Sequence, residues 1–417
     1  MSLFKTSIWS AISTAIRMLA GIITTKIMAI YIGPAGIALL GNFNNITGIL
    51  SAFANGAVGV GTTKYISEFD SEIDKKQVVS LAIKLTLICS IVIGLLVMLG
   101  NKLIAKLIFG DYIYTTAVIV VGFTLIFFGL NTTFTSILNG YKYIKEMIII
   151  GIIGNLISVI LAIVITIKFG LFGALINTSL AQVLIFFINL IYISKLNLFE
   201  MKMLLSTLNK ELIFKLLKYA LMSVVSALVV PLSTIAIRTY IITQFSTNEA
   251  GYIQAVWSIS SMYLMLITTT LSVYYLPTLS SIKDKVVIRN EIIKGYKLII
   301  PVVLISGILI LLSRDLIINI LYTSDFLQMK PFFIFQVIGD ILKVTSWILA
   351  YLMVAKAMTK MYIVTEILFS ILYLVLSILF MDYFGSIGVT YAYALNYFIY
   401  LILMIYLFRK LLFKKYF

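Results

Sequence analysis

Apolar runs of about 20 residues recur from one end of the chain to the other, and no polar stretch between them is long enough to form a soluble domain. At 1.5 Å per residue each run covers ~30 Å, the thickness of a hydrocarbon core. In lipid every backbone polar group must find its partner within the protein, which selects helices over open strands. The pattern therefore predicts an all-α polytopic membrane protein. Its helices fall near residues 7–31, 36–65, 78–100, 113–139, 147–168, 171–194, 217–243, 249–279, 297–321, 331–355, 362–383 and 386–408. The first run lacks a small-x-small cleavage site and is followed at once by another, so it reads as a retained helix.

Twelve spans put both termini on one side, and the basic residues choose which. Most of the 32 Lys and Arg fall in segments on the terminal side, including Lys75, Lys76, Lys142, Lys145, Lys195, Lys210, Lys283, Arg289, Lys356, Lys360, Arg409 and Lys410. The opposite segments hold only Lys102, Lys106, Lys168, Arg314 and Lys330. The positive-inside rule then predicts a multi-pass protein of a cytoplasmic membrane with both termini in the cytoplasm. A net charge of +16 would suggest nucleic acid in a soluble chain, but here it is a topology signal.

Local motifs recur at a fixed offset. Ala35-Gly36 returns as Ala250-Gly251, Phe169-Gly170-x-x-Gly173 as Phe384-Gly385-x-x-Gly388, and Lys145 as Lys360. Three matches at equivalent loops predict two related six-helix lobes, 1–194 and 217–417, joined by a basic cytoplasmic linker at 195–216. Six spans per lobe give both copies one orientation, related by a pseudo-two-fold axis along the membrane normal around a central cavity. That is the plan of an alternating-access transporter.

Composition narrows the chemistry. The chain is 62% hydrophobic and 12% charged, and it has no histidine and one cysteine. These counts exclude histidine triads, histidine zinc sites and cysteine metal clusters, and no other metal motif is present. Phosphate-binding and nucleophile-elbow motifs are absent as well, so no enzyme, resident cofactor or nucleic-acid partner is expected.

Seven ionisable residues lie inside predicted spans: Arg17, Lys26, Lys84, Arg238, Asp340, Lys343 and Glu366. Each costs a few kcal/mol at that depth and is expected to face a polar cavity or a partner. Five cations against two carboxylates suit an anionic substrate. Arg17 is too deep to reach the interface easily, and Arg238 follows Pro231, which should bend its helix. Lys26 and Lys84 lie nearer the helix ends, where a lysine stem can reach water. Asp340 and Lys343, three residues apart, either neutralise each other or form a proton or sodium site with its release partner. Glu366 lies near an inner helix end, a second carboxylate for ion coupling but better placed at the interface. Asn42, Asn45 and Asn55 approximate one polar face of the second helix, a cavity wall for sugar hydroxyls or a set of interhelical hydrogen bonds.

Three stretches carry a resemblance. MSLFKTSIWSAISTAIRMLAGIITTKIMAIYIGPAGIALLGNF, TTLSVYYLPTLS and FQVIGDILKVTSWILAYLMVAKA together resemble the lipid-linked oligosaccharide flippases of the multidrug/oligosaccharidyl-lipid/polysaccharide exporter superfamily. Within it the chain resembles the O-antigen translocase and enterobacterial common antigen flippase group, and the likeness spans nearly the whole chain. It implies movement of an undecaprenyl-pyrophosphate-linked repeat unit, such as O-antigen of lipopolysaccharide, from the inner to the outer leaflet of a bacterial inner membrane. It further implies a cationic cavity for pyrophosphate and glycan, coupling to a proton or sodium gradient, and a monomer working beside a polysaccharide polymerase and chain-length regulator. A cation-coupled multidrug exporter of the same superfamily would want surplus carboxylate in its cavity. A polysaccharide polymerase or ligase would want a long outer loop rich in Arg or His.

Overall fold

The structure, a computed structural model, describes residues 3–200, 202 and 210–413. In order the chain forms α1 (Leu3–Ala54), α2 (Gly59–Glu68), α3 (Glu72–Leu99), α4 (Asn101–Phe109), α5 (Thr115–Gly140) and α6 (Ile144–Lys195). It continues with α7 (Lys210–Gln244), α8 (Thr247–Thr270), α9 (Leu276–Ser281), α10 (Lys285–Leu312), α11 (Arg314–Leu321), α12 (Phe333–Ala355), α13 (Thr359–Phe384), α14 (Gly388–Leu407) and α15 (Arg409–Phe413). Among the described residues, ten helices are long and apolar enough to cross a membrane.

Helices α1 and α6 are each 52 residues long, about 78 Å at helical rise and more than twice a hydrocarbon core. Each is interrupted where a glycine takes a conformation closed to other residues, Gly33 at φ 62°, ψ −171° and Gly170 at φ 55°, ψ −133°. At Gly170 the chain turns back on itself. A Cβ on Gly173 would stand 2.3 Å from the carbonyl oxygen of Ile165, a residue eight positions earlier that a straight helix would hold ~12 Å away. The second copy of the motif does the same: Gly385 has φ 72°, and a Cβ on Gly388 would stand 2.3 Å from the Phe380 carbonyl. Lys142 and Ala357, also 215 apart, share positive φ at the preceding loop. The repeat read from the sequence is thus a repeat of backbone geometry.

Three spans differ from expectation: 297–321 is divided between α10 and α11, 249–279 between α8, a π-helical turn and α9, and the second is cut short. The second helix does not run to 65; it stops at Ala54, and α2 begins at Gly59. Gly56 and Ala57 both have positive φ, and Asn55 turns its Oδ1 back to accept the Ala57 N–H at 2.7 Å. A short amide side chain that captures the local backbone ends a helix in this way.

By contact the chain divides into two compact units, Met1–Ile32 with Leu39–Pro231, and Gly33–Ala38 with Leu232–Phe417. The division falls inside α7 at Pro231, and much of the expected linker, 201 and 203–209, lies outside the described residues. In the first unit α3 packs on α5 and α5 on α6; in the second α10 packs on α12, and α14 on α12 and α13. Gly94 and Gly122 let α3 and α5 cross closely, a Cβ on Gly94 falling 2.6 Å from the Gly122 carbonyl. In the second unit the Gly33–Ala38 elbow meets Gly251, where a Cβ would stand 2.0 Å from the Pro34 carbonyl.

Polarity is distributed as lipid demands. Leu99 is 83% exposed and Leu312 79%, whereas Asn42, Asn131, Asn189, Arg238 and Asp340 are buried. Apolar surface facing hydrocarbon costs nothing, while polar groups must be satisfied within the protein. At the end of α8 a π-helical turn, Leu271–Tyr275, leads into α9, whose Pro277 has no N–H to give. It places the Tyr275 hydroxyl to donate to the Ile348 carbonyl at 3.2 Å, with the ring against Gly295.

Candidate functional site

The enclosed charges of the second unit lie on α7, α12 and α13, and α8 and α14 supply neutral partners. Asp340 in α12 is fully buried, yet no ion pair joins it to Lys343 or to any other cation among the described residues. Four neutral donors surround it instead. Oδ2 accepts from Ser260 Oγ at 2.6 Å and Tyr263 Oη at 2.7 Å. Oδ1 accepts from Tyr393 Oη at 2.9 Å and Gln336 Nε2 at 3.3 Å. Four donors fill the lone-pair sites of a carboxylate, and the three hydroxyls can equally accept a hydrogen bond from its protonated form. The site can hold the group in either charge state. The i, i+3 spacing brings Asp340 and Lys343 within electrostatic reach, while the direct hydrogen bonds to the carboxylate come from the hydroxyl and amide shell.

Lys343 turns to aromatic faces. Its Nζ lies 4.8 Å from the Trp347 ring centre, 5.3 Å from that of Tyr397 and 5.7 Å from that of Tyr393. Three rings hold an ammonium by their quadrupoles without neutralising it. Glu366 on α13 is half-buried and within electrostatic reach of the lysine. Arg238, 2% exposed on α7, lies over the Trp257 ring at 5.4 Å and donates through Nη2 to Gln254 Oε1. Gln254 in turn donates to Ser258 Oγ at 3.2 Å. Both cations thus lie against aromatic faces, Arg238 with the Gln254 amide beside it and Lys343 with Glu366 in reach.

The first unit places its predicted residues differently. Arg17 is exposed on α1, Lys26 on α1 and Lys84 on α3 are half-buried, Asn42 is buried and Asn45 half-buried. Asn55 sits in the turn after α1 and leaves the face it was expected to share with Asn42 and Asn45. The interior of this unit is polar but uncharged around Asn131. That residue donates to the carbonyl and Oε1 of Gln182, both at 2.8 Å, and accepts from Asn189 at 3.0 Å. At the repeat offset of 215, Asp340 corresponds to Leu125, and both are 0% exposed.

Sequence reading missed Ser260, Tyr263, Gln336, Trp347, Tyr393 and Tyr397. A signal existed for some. Trp347 is one turn beyond Lys343, and Tyr393, Tyr397 and Tyr400 follow helical spacing in α14.

Comparison with known proteins agrees with this architecture. The chain is 30% identical to the Lipid III flippases of Escherichia coli (strain K12) and Shigella flexneri over 402 residues, 96% of this chain and of each relative. Among solved structures it superposes on the lipid II flippase MurJ in an inward closed conformation, with TM-score 0.77 and 17% identity over 97% of this chain and 87% of that one. An inward-facing multidrug resistance MATE family transporter of the MOP superfamily matches with TM-score 0.76 and 15% identity, over 97% and 96% of the two chains. Those two likenesses establish a shared fold. A family model described as polysaccharide biosynthesis protein covers residues 45–331, and with the full-length relatives it shows that the chain belongs to the polysaccharide biosynthesis protein family.

Proposed function

We propose that this protein is a transporter rather than an enzyme, a flippase that moves a lipid-linked oligosaccharide across a bacterial cytoplasmic membrane. The observation that carries the reading is the similarity to Lipid III flippases over 96% of both chains. The fold, shared with a lipid II flippase, supports it. So does a helical bundle whose interior holds charged groups in settings that neither fold stability nor lipid contact requires.

In finer detail, the reading takes the two halves of α1 and of α6 as separate crossings, giving twelve spans with both termini in the cytoplasm. The substrate is an undecaprenyl-pyrophosphate-linked repeat unit of a surface polysaccharide, moved by alternating access. Arg238 and Lys343, with Arg17, Lys26 and Lys84, supply positive charge for its phosphates, and the amides of Asn42, Asn45 and Asn55 meet sugar hydroxyls. Asp340 is the group that senses a proton or sodium gradient, with Glu366 beside Lys343 as a second carboxylate. Support for this role comes from the hydroxyl shell, which suits both charge states, and from the buried Gln336 Oε1, which has no hydrogen-bond partner among the described residues. The protein acts as a monomer alongside a polymerase and its chain-length regulator.

Deleting the gene in its host and extracting lipid-linked repeat units tests the function. Single units held in the cytoplasmic leaflet are expected. Single units already facing outward would replace the flippase reading with a polymerase.

A further inference from the structure

Tyr393 stands at the one point where the carboxylate and the lysine meet. Its hydroxyl donates to Asp340 Oδ1 at 2.9 Å, and the same ring lies 5.7 Å from Lys343 Nζ. The ring is held tightly. It lies so close to Gly339, the residue before Asp340, that a Cβ there would stand 2.2 Å from Tyr393 Cδ1. On its other sides it meets Tyr373 at 5.6 Å and Tyr397 at 4.9 Å, both nearly edge-on, and Tyr397 is a second wall of the lysine cage. A ring clamped on three sides and hydrogen-bonded at its tip cannot shift at one end without shifting at the other.

We infer that Tyr393 is a positioning residue that transmits the charge state of Asp340 to the placement of Lys343. An ionised Asp340 accepts a hydrogen bond from the Tyr393 hydroxyl, which holds the ring beside the ammonium. A neutral Asp340 has its own proton to donate, the hydroxyl turns to accept it, and the ring changes its angle to Lys343. Loading the carboxylate thereby alters how firmly the aromatic cage retains the lysine, and so how available that lysine is to an anion. The inference rests on the reading of Asp340 as the gradient-sensing group.

The protein has three tryptophans, and Trp347 is a wall of the cage, so it reports on the lysine directly. Full-length protein labelled with 5-fluorotryptophan is titrated in detergent by ¹⁹F NMR, with the Trp347 signal assigned by Trp347→Phe. The charged and titratable groups facing the cluster are Tyr263 from α8, Arg238 from α7, Glu366 and Tyr373 from α13, Tyr393 and Tyr397 from α14, and Lys343 itself. Glu366→Gln is therefore titrated in parallel and is expected to keep the transition. In the wild type the Trp347 resonance moves with pH, and in Asp340→Asn it does not. In Tyr393→Phe, which keeps the ring and loses only the hydroxyl, the starting resonance is unchanged and the movement shrinks at least about twofold, because Trp347 and Tyr397 still hold the ammonium. Gly339→Ala, which displaces the ring but leaves the hydroxyl, shrinks it likewise and serves if Tyr393→Phe does not fold. A full transition in both variants, with none in Asp340→Asn, overturns the role of Tyr393 and leaves the reading of Asp340 standing. A transition that survives Asp340→Asn overturns that reading, and a wild-type signal that does not move overturns the inference.

Discussion

The Arg238 guanidinium lies over the indole of Trp257, 5.4 Å from the ring centre, with its Nη2 bonded to Gln254. The planar guanidinium meets the indole face and the amide oxygen at once. Arg238→Ala is expected to abolish surface polysaccharide in the complemented deletion strain while immunoblots show normal protein. Arg238→Lys is expected to restore little, since an ammonium lacks the planar fork that stacks and donates together. Normal polysaccharide in Arg238→Ala would remove this residue from the transport path.

Asp340→Asn keeps the shape of the side chain, and the hydroxyls of Ser260 and Tyr263 can turn to accept from its NH₂. The thermal unfolding midpoint is therefore expected to stay close to that of the parent. In proteoliposomes containing the host's lipid-linked repeat unit, flipping by this variant no longer responds to an imposed proton or sodium gradient.

Gly251 has no room for a methyl group, because the Pro34 carbonyl occupies the place. Gly251→Ala should cost about 1–3 kcal/mol by overpacking against backbone that cannot rotate away, visible as lower yield and earlier thermal aggregation in detergent. Gly48→Ala, which meets nothing within 4 Å, serves as the control and should match or exceed the parent.

Asn131→Leu removes the donor and acceptor at the centre of the first unit's amide network. Stability is expected to fall by roughly 1–3 kcal/mol as Asn189 and Gln182 lose their partner, while the response of the remaining folded protein to a gradient is unchanged. An altered gradient response would give this uncharged network a share in coupling.

Cys89 is the one native cysteine, so a Cys89→Ser background makes topology readable by labelling. Cysteines at Lys145 and Lys360 are expected to resist a membrane-impermeant maleimide in intact cells, and one at Lys102 to react. The reverse pattern would invert the orientation.

The helices were legible in the sequence because hydrocarbon imposes a simple length and polarity on each crossing, and the elbows at Gly170 and Gly385 because only glycine adopts that backbone. The break at Asn55 was hidden, since a local hydrogen bond overrode an unbroken apolar pattern. Arg238 and Asp340 stood out as charges where charge is costly. Their partners did not: Tyr263, Tyr393 and Trp347 are ordinary core residues in any one helix and acquire a role only when α8, α12 and α14 meet. The pairing of Asp340 with Lys343 looked natural from spacing alone, but four hydroxyl and amide donors, three on other helices and one a turn earlier on α12, bond the same carboxylate.

Leu125 and Asp340 occupy matching positions in the two copies, and both are wholly enclosed. The chain carries its own control experiment. The leucine shows what the shared scaffold needs at that point, which is volume and nothing polar, so the aspartate is no requirement of the architecture. At the offset of 215 the first unit encloses an isobutyl group where the second encloses a carboxylate, so one setting of the backbone accommodates both a dry filler and a charge-bearing group.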